Sequence, residues 1–423
     1  MPTDTSRRIA FSAAGERAEP PTIAALMNAA LENPGLLSLA AGFTDNRSLP
    51  MAAVQAAVNE LAELRDLEPL QYGTNQGRPV LRRQLATHLA NWEPGLADAE
   101  ADKRFFVTNG SQQALYLAMQ VLCEPGDIVL VDRPTYFVYL EMLRAMGVRA
   151  VSLPIDDAGS LDFDALDARL RALIAAGEQA RIRAVYFVSY FSNPSSRCLQ
   201  PEEKRRLATV LQAHDLVVPV VEDAAYRDLY FSEPPKAPSV LGMPEWVEFP
   251  RLYLSTLTKP FSTGLKIGYG YCTDQDWLGR MLHTKGHHDF GSANFNQAVL
   301  ERVLAKGGLG VQLAKIRPLY AEKMTTLHDT VIAEGLADAG WHWQRPDGGL
   351  YLWLRGPAGL DTGLNSAFCQ ACIEAGVLYV PGDLCYGDDG PKNRIRLSFG
   401  VLSGDALREA GRRFTRVARS AGV

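Results

Sequence analysis

The sequence YLSTLTKPFSTGLKIG occupies residues 253–268 and decides how the rest of the chain is interpreted. Its first lysine, Lys259, follows a strand-like apolar run and lies among hydroxyl residues, and a second cation, Lys266, comes shortly afterwards. Burial lowers the pKa of a lysine ammonium, which frees the amine to attack a carbonyl and form a Schiff base. Thr256, Thr258 and Lys266 would suit a phosphate beside that amine. Taken alone, the segment is more typical of a polar turn with a surface lysine, and only the remaining sequence reverses that interpretation.

Composition excludes several classes of protein. The chain has 423 residues, of which 47% are hydrophobic and 22% charged, enough for a large core and for two or three domain-sized units. A net charge of −5 gives no basic surface for nucleic acid or anionic membranes. No apolar run approaches the roughly 20 residues that a membrane helix needs, and the N-terminal residues lack the apolar core of a signal peptide. We therefore expect a cytoplasmic protein with no nucleic-acid or membrane partner.

The cysteines predict neither disulfides nor a metal site. Six cysteines are scattered through the long chain, a distribution that fits a reducing compartment. Cys369 and Cys372 form a CxxC pair, but their segment has the pattern of a helix closed by Gly376. Without a second Cys/His pair at metal spacing, we expect both side chains to pack in the core.

The order of apolar runs predicts an α/β fold. Short strand-like runs alternate with helical patterns from residue 105 onward, for example the helical pattern Pro201–His214. Buried strands separated by helices favour a mainly parallel sheet. The strand candidates are residues 105–107, 127–131, 184–189, 217–222, 252–254 and 267–272. Pro219 lies inside one of them, which predicts an edge strand or a bulge there.

The predicted pattern of helices and strands changes after about residue 300. A single long helical stretch is predicted from Asn296 to Glu334. Strand-like segments follow around residues 341–344, 351–354, 378–380 and 394–399. This pattern predicts a smaller α+β unit.

Three further motifs carry candidate chemistry. Gly110 and Ser111 open a helix directly after a strand, and free N–H groups at such a terminus suit a phosphate. Taken alone, however, this motif is more typical of an ordinary N-cap serine. A buried run ends in Glu222 and Asp223, and a buried carboxylate requires a cationic partner. Near the C-terminus, alternation places Arg394 and Arg396 on one face of a strand, where an arginine can bind a carboxylate through a bidentate fork.

The motifs T-x-G-S-Q-Q-A-L (108–115), F-S-N-P-S (191–195), V-V-E-D-A-A-Y (220–226) and N-R-I-R-L-S-F (393–399) occur in this order with the lysine segment. Together they resemble the class I/II aminotransferases, pyridoxal 5'-phosphate (PLP) enzymes of fold type I, and above all the branch with aminoadipate and aromatic aminotransferases. The resemblance extends from about Leu36 to Phe399. It implies an α/β large domain with a mainly parallel sheet (46–300), a smaller α+β domain (301–423), and an N-terminal arm (1–45) that partly joins the small domain.

The resemblance assigns roles around the cofactor. Lys259 is expected to hold PLP as a Schiff base, and Asp223 to keep the pyridine nitrogen protonated. Tyr136 is expected to lie against the ring, with Asn193 and Tyr226 at the 3'-oxygen. The remaining cofactor contacts are assigned to the phosphate: Gly110, Ser111, Gln112, Thr256, Thr258, Lys266 and, from the neighbouring subunit, Tyr72. Tyr72 thus implies a homodimer with shared active sites. Lys266 stands where the family usually has arginine, so a point charge replaces a planar fork there.

The resemblance also assigns substrate contacts. Arg396 is expected to bind the α-carboxylate, with Arg394 facing solvent, and Gly42 and Asn193 are expected to approach the substrate. Residues 21–25 lack the arginine that some aminoadipate relatives use for an acidic side chain. The segment 283–297 is either a solvated polar loop or, as in the family, a loop that lines the partner's side-chain pocket. His287 and His288 in that loop would favour neutral, aromatic or polar donors.

The function implied is transamination of an amino acid and a 2-oxo acid, in amino acid metabolism or biosynthesis. A PLP-dependent lyase or biosynthetic synthase is the alternative on the same fold. A non-catalytic, ligand-sensing domain of a regulator is a weaker alternative. It would require an N-terminal DNA-binding extension, whereas the aminotransferase-like pattern begins at about residue 20 to 36.

Overall fold

The computed structural model describes residues 10–22, 35–96 and 101–421. Its strands are β1 (Leu37–Ser38), β2 (Phe105–Asn109), β3 (Ile128–Val131), β4 (Arg149–Ser152), β5 (Ile182–Val188), β6 (Val220–Asp223), β7 (Arg251–Thr256), β8 (Ile267–Cys272), β9 (His342–Trp343), β10 (Tyr351–Arg355), β11 (Val377–Leu378), β12 (Val380–Pro381) and β13 (Arg394–Ser398).

The α-helices span Ala13–Glu16, Met51–Leu64, Pro79–Ala90, Ala101–Arg104, Gly110–Leu122, Phe137–Met146, Phe163–Ala175, Pro201–Ala213, Gln275–His288, Asn294–Ala305, Gly308–Ala333, Ala367–Glu374 and Gly404–Ser420. Short 3-10 turns lie at Asn46–Ser48, Glu68–Leu70, Pro94–Leu96, Gln179–Arg181, Val240–Gly242, Pro244–Trp246 and Gly382–Cys385. Among the described residues, no helix combines the length and apolarity needed to cross a membrane.

A seven-stranded sheet forms the centre of the larger part. Its strand order is β2-β8-β7-β6-β5-β3-β4. Strands β3 to β7 pair in parallel, whereas β8 runs antiparallel to both β2 and β7. Most strand residues are buried because helices cover both faces, which explains their near-continuous apolar sequences. The predicted mainly parallel α/β architecture is confirmed.

The parallel pairing brings several chemical motifs to one edge of this sheet. Strands β3, β5, β6 and β7 point the same way, so the segments after their carboxyl ends lie close together. Those segments carry Tyr136, Asn193 and Lys259, and Asp223 is the last residue of β6. In open α/β sheets this edge is the usual position of a ligand site.

A second, antiparallel sheet has the strand order β12-β13-β10-β9. Beside it, β1 pairs in parallel with β11, with Leu37 opposite Val377. The Leu39 N–H donates to the Leu378 carbonyl, and the Ser398 N–H donates to the Leu39 carbonyl. An early segment of the chain is therefore built into the C-terminal part. The boundaries at residues 45 and 300 stay a prediction.

Two predictions about single elements are wrong. Pro219 lies neither on an edge strand nor in a bulge, because β6 begins at Val220 and lies between β5 and β7. The Pro219 carbonyl still accepts a hydrogen bond from the Val185 N–H, so the missing N–H does not interrupt the ladder. The predicted helix 296–334 is two helices, which separate at Gly307, where φ is +69°.

The CxxC prediction is confirmed. Cys369 and Cys372 lie on the helix Ala367–Glu374, and both are buried. Gly376 follows with φ of +76°, the left-handed conformation that ends helices. The six cysteines are all free thiols.

Candidate active site

A cavity of about 370 Å³ brings together most of the residues that the sequence singled out. Its walls include Gly42, Gly110, Ser111, Gln112, Tyr136, Asn193, Asp223, Tyr226, Thr256, Thr258, Lys259, Lys266 and Arg396. These residues come from positions 42 to 396 of the chain, so the fold, and not sequence proximity, assembles the site.

Lys259 lies in the turn that follows β7, with its side chain half-buried against the cavity. Its Nζ donates to the Gly42 carbonyl oxygen at 2.7 Å. Burial, together with the positive charges of Arg396 and Lys266, lowers the pKa of the Lys259 ammonium. A larger fraction of the side chain is therefore an uncharged, nucleophilic amine at neutral pH.

One end of the cavity is formed by the N-terminus of the helix Gly110–Leu122. The N-cap residue is Asn109, whose side chain makes no capping hydrogen bond, so the alternative of an ordinary N-cap serine is wrong. Gly110 has φ of +71°, and a Cβ added to the facing Gly268 would lie 2.3 Å from the Gly110 carbonyl carbon. Both positions therefore require glycine. The helix presents backbone N–H groups to the cavity, as anion-binding termini do.

Polar side chains surround the same end. The Thr256 Oγ1 accepts from the Thr258 N–H at 3.1 Å and lies 2.8 Å from the Thr258 Oγ1. Lys266 is exposed and adopts φ of +57°, and its carbonyl oxygen accepts from the Gly110 N–H. The buried Oε1 of Gln112 has no hydrogen-bond partner. Hydroxyl groups and one cation beside a helix N-terminus fit a phosphate group, whereas the Gln112 Oε1 is an acceptor and does not contribute to that fit.

Asp223 ends β6 at the base of the cavity and is 5% exposed. Its carboxylate accepts from the Ala225 N–H at 2.9 Å and from the Tyr186 hydroxyl at 3.1 Å. Burial raises the pKa of the Asp223 carboxyl to about 6. Among the described residues no cation pairs with it, so a protonated ring nitrogen in the cavity would supply the missing charge.

Glu222, the neighbouring acid, has a different environment. Its Oε1 accepts from Lys204 Nζ at 2.7 Å and from the Ser189 hydroxyl at 2.5 Å. The ion pair with Lys204 is fully buried and lies outside the cavity. Glu222 is therefore a structural neighbour of Asp223, as expected from the sequence.

Arg396 reaches the cavity from β13 and is 1% exposed. One terminal nitrogen donates to Asn193 Oδ1 at 2.7 Å, and the other donates to the Ala40 carbonyl at 2.6 Å. Its Nε is buried without a partner. Because Asn193 accepts through its oxygen, its amide nitrogen remains the donor for a bound molecule. Arg394 is half-buried and faces another cavity, so the prediction that it faces solvent is wrong.

Sequence reasoning missed Tyr351. Its ring lies 4.3 Å from the Arg396 guanidinium carbon, and its hydroxyl is 2.9 Å from the Tyr226 hydroxyl. Tyr351 therefore contacts both the arginine expected at the substrate and the tyrosine expected at the cofactor. Its sequence context is only an alternating strand, so no local pattern distinguishes it from a core residue.

Three predicted site residues lie outside the cavity. Tyr72 is 77% exposed, and its ring meets Phe290 edge-on at 5.5 Å. His287 and His288 are exposed at the end of the helix Gln275–His288. The predicted loop is thus wrong over residues 283–288, because buried Trp277, Met281 and Lys285 recur at helical spacing. Within this chain His288 stacks on Tyr116. The sequence prediction about an acidic side chain concerned residues 21–25, which contain no arginine. Of these, residues 23–25 lie outside the part of the chain that the structure describes.

Comparison with known proteins agrees with this geometry. The sequence profile described as "Aminotransferase class I and II" matches residues 34–414. The chain belongs to this aminotransferase family. The match contains the lysine segment and all of the cavity residues named above.

Individual relatives resemble this aminotransferase over nearly its whole length. "Aromatic-amino-acid aminotransferase 1" of Thermococcus litoralis is 29% identical, over 90% of this chain and 88% of the relative. The "2-aminoadipate transaminase" of Thermus thermophilus is 29% identical, over 96% of both chains. A crystal structure of Pyrococcus horikoshii kynurenine aminotransferase in complex with PMP superposes with a TM-score of 0.85, at 27% identity and 97% coverage of each chain.

Family and fold together establish the type of enzyme. The aminotransferase is a PLP-dependent enzyme of fold type I, and PLP is its cofactor. The cavity residues fit that group, because an unpaired buried carboxylate, an amine with a lowered pKa and an uncapped helix terminus lie around a single space.

Proposed function

We propose that this aminotransferase transfers the amino group of a neutral or aromatic L-amino acid to a 2-oxo acid, with Lys259 as the residue that bonds PLP. The observation that carries the proposal is the convergence of Lys259, Asp223 and Arg396 on one cavity. When bound, PLP supplies an aldehyde and a ring that withdraws electrons from the substrate Cα. The protein must then hold the charges and move one proton.

Three side chains divide this work. Arg396 binds the α-carboxylate, since its guanidinium lines the cavity and each terminal nitrogen, held by Asn193 or Ala40, carries a second N–H. Asp223 maintains a positive charge at the ring nitrogen by offering a buried anion. Lys259, once released, removes the proton from the substrate Cα, because its amine is already biased toward the neutral form.

The cofactor phosphate is proposed to lie at the helix Gly110–Leu122. Backbone N–H groups and the positive helix end favour an anion there. Ser111, Thr256, Thr258 and Lys266 line the same part of the cavity. Tyr72 is proposed to complete this site from a second copy of the chain in a homodimer, which its large exposed area permits.

The donor preference follows from the charges in the cavity. Among the described lining residues the cations are Lys259, Lys266 and Arg396, and each already has a proposed partner in PLP or the α-carboxylate. Phe43, Phe137 and Val138 contribute apolar surface to the same walls. A neutral or aromatic side chain therefore fits better than a second carboxylate, which would lose water without gaining a counter-charge.

A single-turnover panel tests this function. The PLP-loaded enzyme is mixed with individual L-amino acids, and conversion of the cofactor to its amino form is followed by absorbance. Phenylalanine, tyrosine, leucine and methionine are expected to react faster than glutamate and 2-aminoadipate. Release of ammonia or CO₂ in place of the 2-oxo acid would identify the lyase or decarboxylase alternative.

Borohydride reduction locates the covalent bond. Reduction of the loaded enzyme followed by peptide mapping is expected to place the pyridoxyl label on Lys259. Lys259→Ala is expected to bind PLP weakly and to have no turnover. A label on Lys266 or Lys285 would exclude the proposed role of Lys259.

The same panel examines His287 and His288, which we propose to approach the substrate side chain in the partner's site. Replacing both with alanine is expected to change the ranking of donors without changing PLP incorporation. If kcat/KM falls by one common factor for every donor, the two histidines do not contact the side chain.

We also propose a cytoplasmic location, on the basis of the sequence.

A further inference from the structure

A second cavity of about 380 Å³ lies beside the proposed active site. The segment 192–197 separates the two, since Asn193 lines the first cavity whereas Ser192 and Arg197 line the second. Strand β13 is shared in the same way, with Arg396 in the first cavity and Arg394 in the second. Aromatic walls are provided by Trp343, Trp353 and Tyr386.

Two arginines in this cavity lie next to each other without an anion. Arg355 on β10 is directly opposite Arg394 on β13 in the antiparallel register. Like charges at opposed positions of a sheet are destabilising. Among the described residues neither guanidinium has an ion-pair partner, and the Arg394 Nε is buried with no hydrogen bond. Burial lowers the pKa of the Arg394 guanidinium, and the charge of Arg355 lowers it further.

The other two arginines in the lining are already paired with acids. Arg133 pairs with Asp388, and Arg197 pairs with Glu203. The Asp156 Oδ1 accepts from the Ser160 N–H at 2.9 Å, and Asp157 is exposed. The arginine pair of Arg355 and Arg394 therefore carries the unpaired positive charge of this cavity, within the part of the chain that the structure describes.

Asp132 and Ser192 also line the cavity, and both are polar and buried. Asp132 is 7% exposed and Ser192 is 3% exposed. Asp132 Oδ1 and Ser192 Oγ are both buried without a hydrogen-bond partner. Burial raises the pKa of the Asp132 carboxyl to about 7, so much of it is neutral at neutral pH and adds little negative charge beside the arginine pair.

We propose that the second cavity binds a small aromatic carboxylate. Its carboxylate would lie between Arg394 and Arg355, neutralising the repulsion of the arginine pair through charge-assisted hydrogen bonds. Its ring would pack against Trp343 and Trp353, where aromatic surface is available without displacing a core residue. This site is independent of the reaction chemistry, because the residues proposed for catalysis are not among those that bind the ligand.

Calorimetric titration of the PLP-loaded enzyme with phenylacetate tests the proposal, with acetate as the probe that lacks the ring. We expect the Arg355→Gln/Arg394→Gln variant to bind phenylacetate at least about tenfold more weakly than wild type, since two charge-assisted contacts are lost. Acetate is expected to bind wild type at least about tenfold more weakly than phenylacetate does. Arg345→Gln serves as the matched control and should bind phenylacetate normally, because Arg345 is exposed and follows the lining residue Gln344 without lining the cavity itself.

A second set of variants distinguishes phenylacetate binding at the second cavity from phenylacetate binding at the active site. Arg396→Gln is expected to retain phenylacetate binding, whereas the double variant is expected to retain single-turnover conversion of donors. Binding lost in Arg396→Gln and kept in the double variant would overturn the proposal, as would equal affinity for acetate and phenylacetate or no binding to wild type. If the double variant does not fold, Arg355→Gln alone replaces it, because Arg355 is exposed.

Discussion

At the scale of single residues, Asp223 combines a structural cost with a chemical role. Its carboxylate is buried, and its hydrogen bonds come only from neutral donors, the Ala225 N–H and the Tyr186 hydroxyl. The ionised form is therefore stabilised poorly until a cation enters the cavity. A residue of this kind destabilises the empty protein and strengthens the binding of a cationic cofactor.

Asp223→Asn is expected to stabilise the cofactor-free protein at neutral pH. Burial raises the pKa of the Asp223 carboxyl in the folded protein from 3.8 to about 6. Below pH 4 the carboxyl is protonated in both the folded and the unfolded state, so it does not lower the free energy of unfolding. As the pH rises through 6, the folded protein loses this proton and the full destabilisation develops. At pH 8 the asparagine variant should unfold with a free energy higher by about 1 to 3 kcal/mol. Urea denaturation at pH 4 and pH 8 measures the difference, which should vanish at the lower pH.

With PLP bound, the Asp223→Asn variant should be impaired in catalysis. We expect kcat to fall by about 100-fold or more, with only a modest loss of PLP, because the phosphate contacts remain. Near-normal turnover would show that the ring nitrogen need not be charged.

Tyr351→Phe tests the pair of hydroxyls beside Arg396. The Tyr351 hydroxyl can donate to Tyr226 and so leave the Tyr226 proton directed toward PLP. Loss of one such hydrogen bond should raise the Kd for PLP and lower kcat/KM by about 2- to 12-fold. Tyr379→Phe is the matched control, since that buried hydroxyl donates to the Thr362 carbonyl outside the cavity. Equal effects in both variants would indicate a general packing defect.

The sequence predicted most of the cavity residues because their motifs are local. Asp223 and Lys259 each follow an apolar strand, so the order of strand and polar residue is visible without the fold. Tyr351 could not be predicted in this way, because its partners Tyr226 and Arg396 are distant in sequence and meet it only across the cavity.

At the scale of elements, the junction of β8 with the helix Gly110–Leu122 determines the phosphate site. Gly268 faces the first peptide of the helix so closely that a methyl group would meet backbone atoms 2.3 Å away. Backbone cannot rotate aside as a side chain can. The close approach of β8 to the helix Gly110–Leu122 is therefore possible only because residue 268 is glycine.

Gly268→Ala is expected to displace the helix terminus and to weaken PLP binding at least about tenfold, with a loss of about 1 to 3 kcal/mol in stability. Gly279→Ala is the matched control, because a Cβ there meets nothing within 4 Å inside the helix Gln275–His288. That control should gain up to about 1 kcal/mol. Fluorescence titration with PLP and thermal unfolding measure both effects, and unchanged PLP affinity in Gly268→Ala would contradict the prediction.

Element boundaries were less predictable than element types. The break at Gly307 and the helix through His288 depend on how apolar faces meet neighbouring elements, not on composition. Lys285 illustrates the difficulty, since a lysine and three nearby histidines suggest a solvated loop. In the structure Lys285 is buried and pairs with Asp289 at 2.8 Å.

At the scale of the whole molecule, the exposed Tyr72 predicts that two copies share each site. Lys259→Ala and Tyr72→Ala subunits are expected to be individually impaired. Mixed after unfolding and refolding, they should regain about a quarter of wild-type activity, because half of the dimers then hold one intact site of two. Lys259→Ala mixed with Asp223→Asn is the control, since each substitution damages the site of the subunit that carries it and no intact site can form. Equal recovery in both mixtures would exclude a shared site.

The pairing of β1 with β11 has a consequence for synthesis on the ribosome. The carbonyls of Ala40 and Gly42, which hold Arg396 and Lys259, follow a strand that needs Val377 and Leu378 as its partner. A nascent chain that has emerged only as far as the seven-stranded sheet already carries Lys259 and Asp223, yet its amino-terminal segment has no strand to join. We therefore expect cofactor capture in its final geometry to follow emergence of β11 from the ribosome.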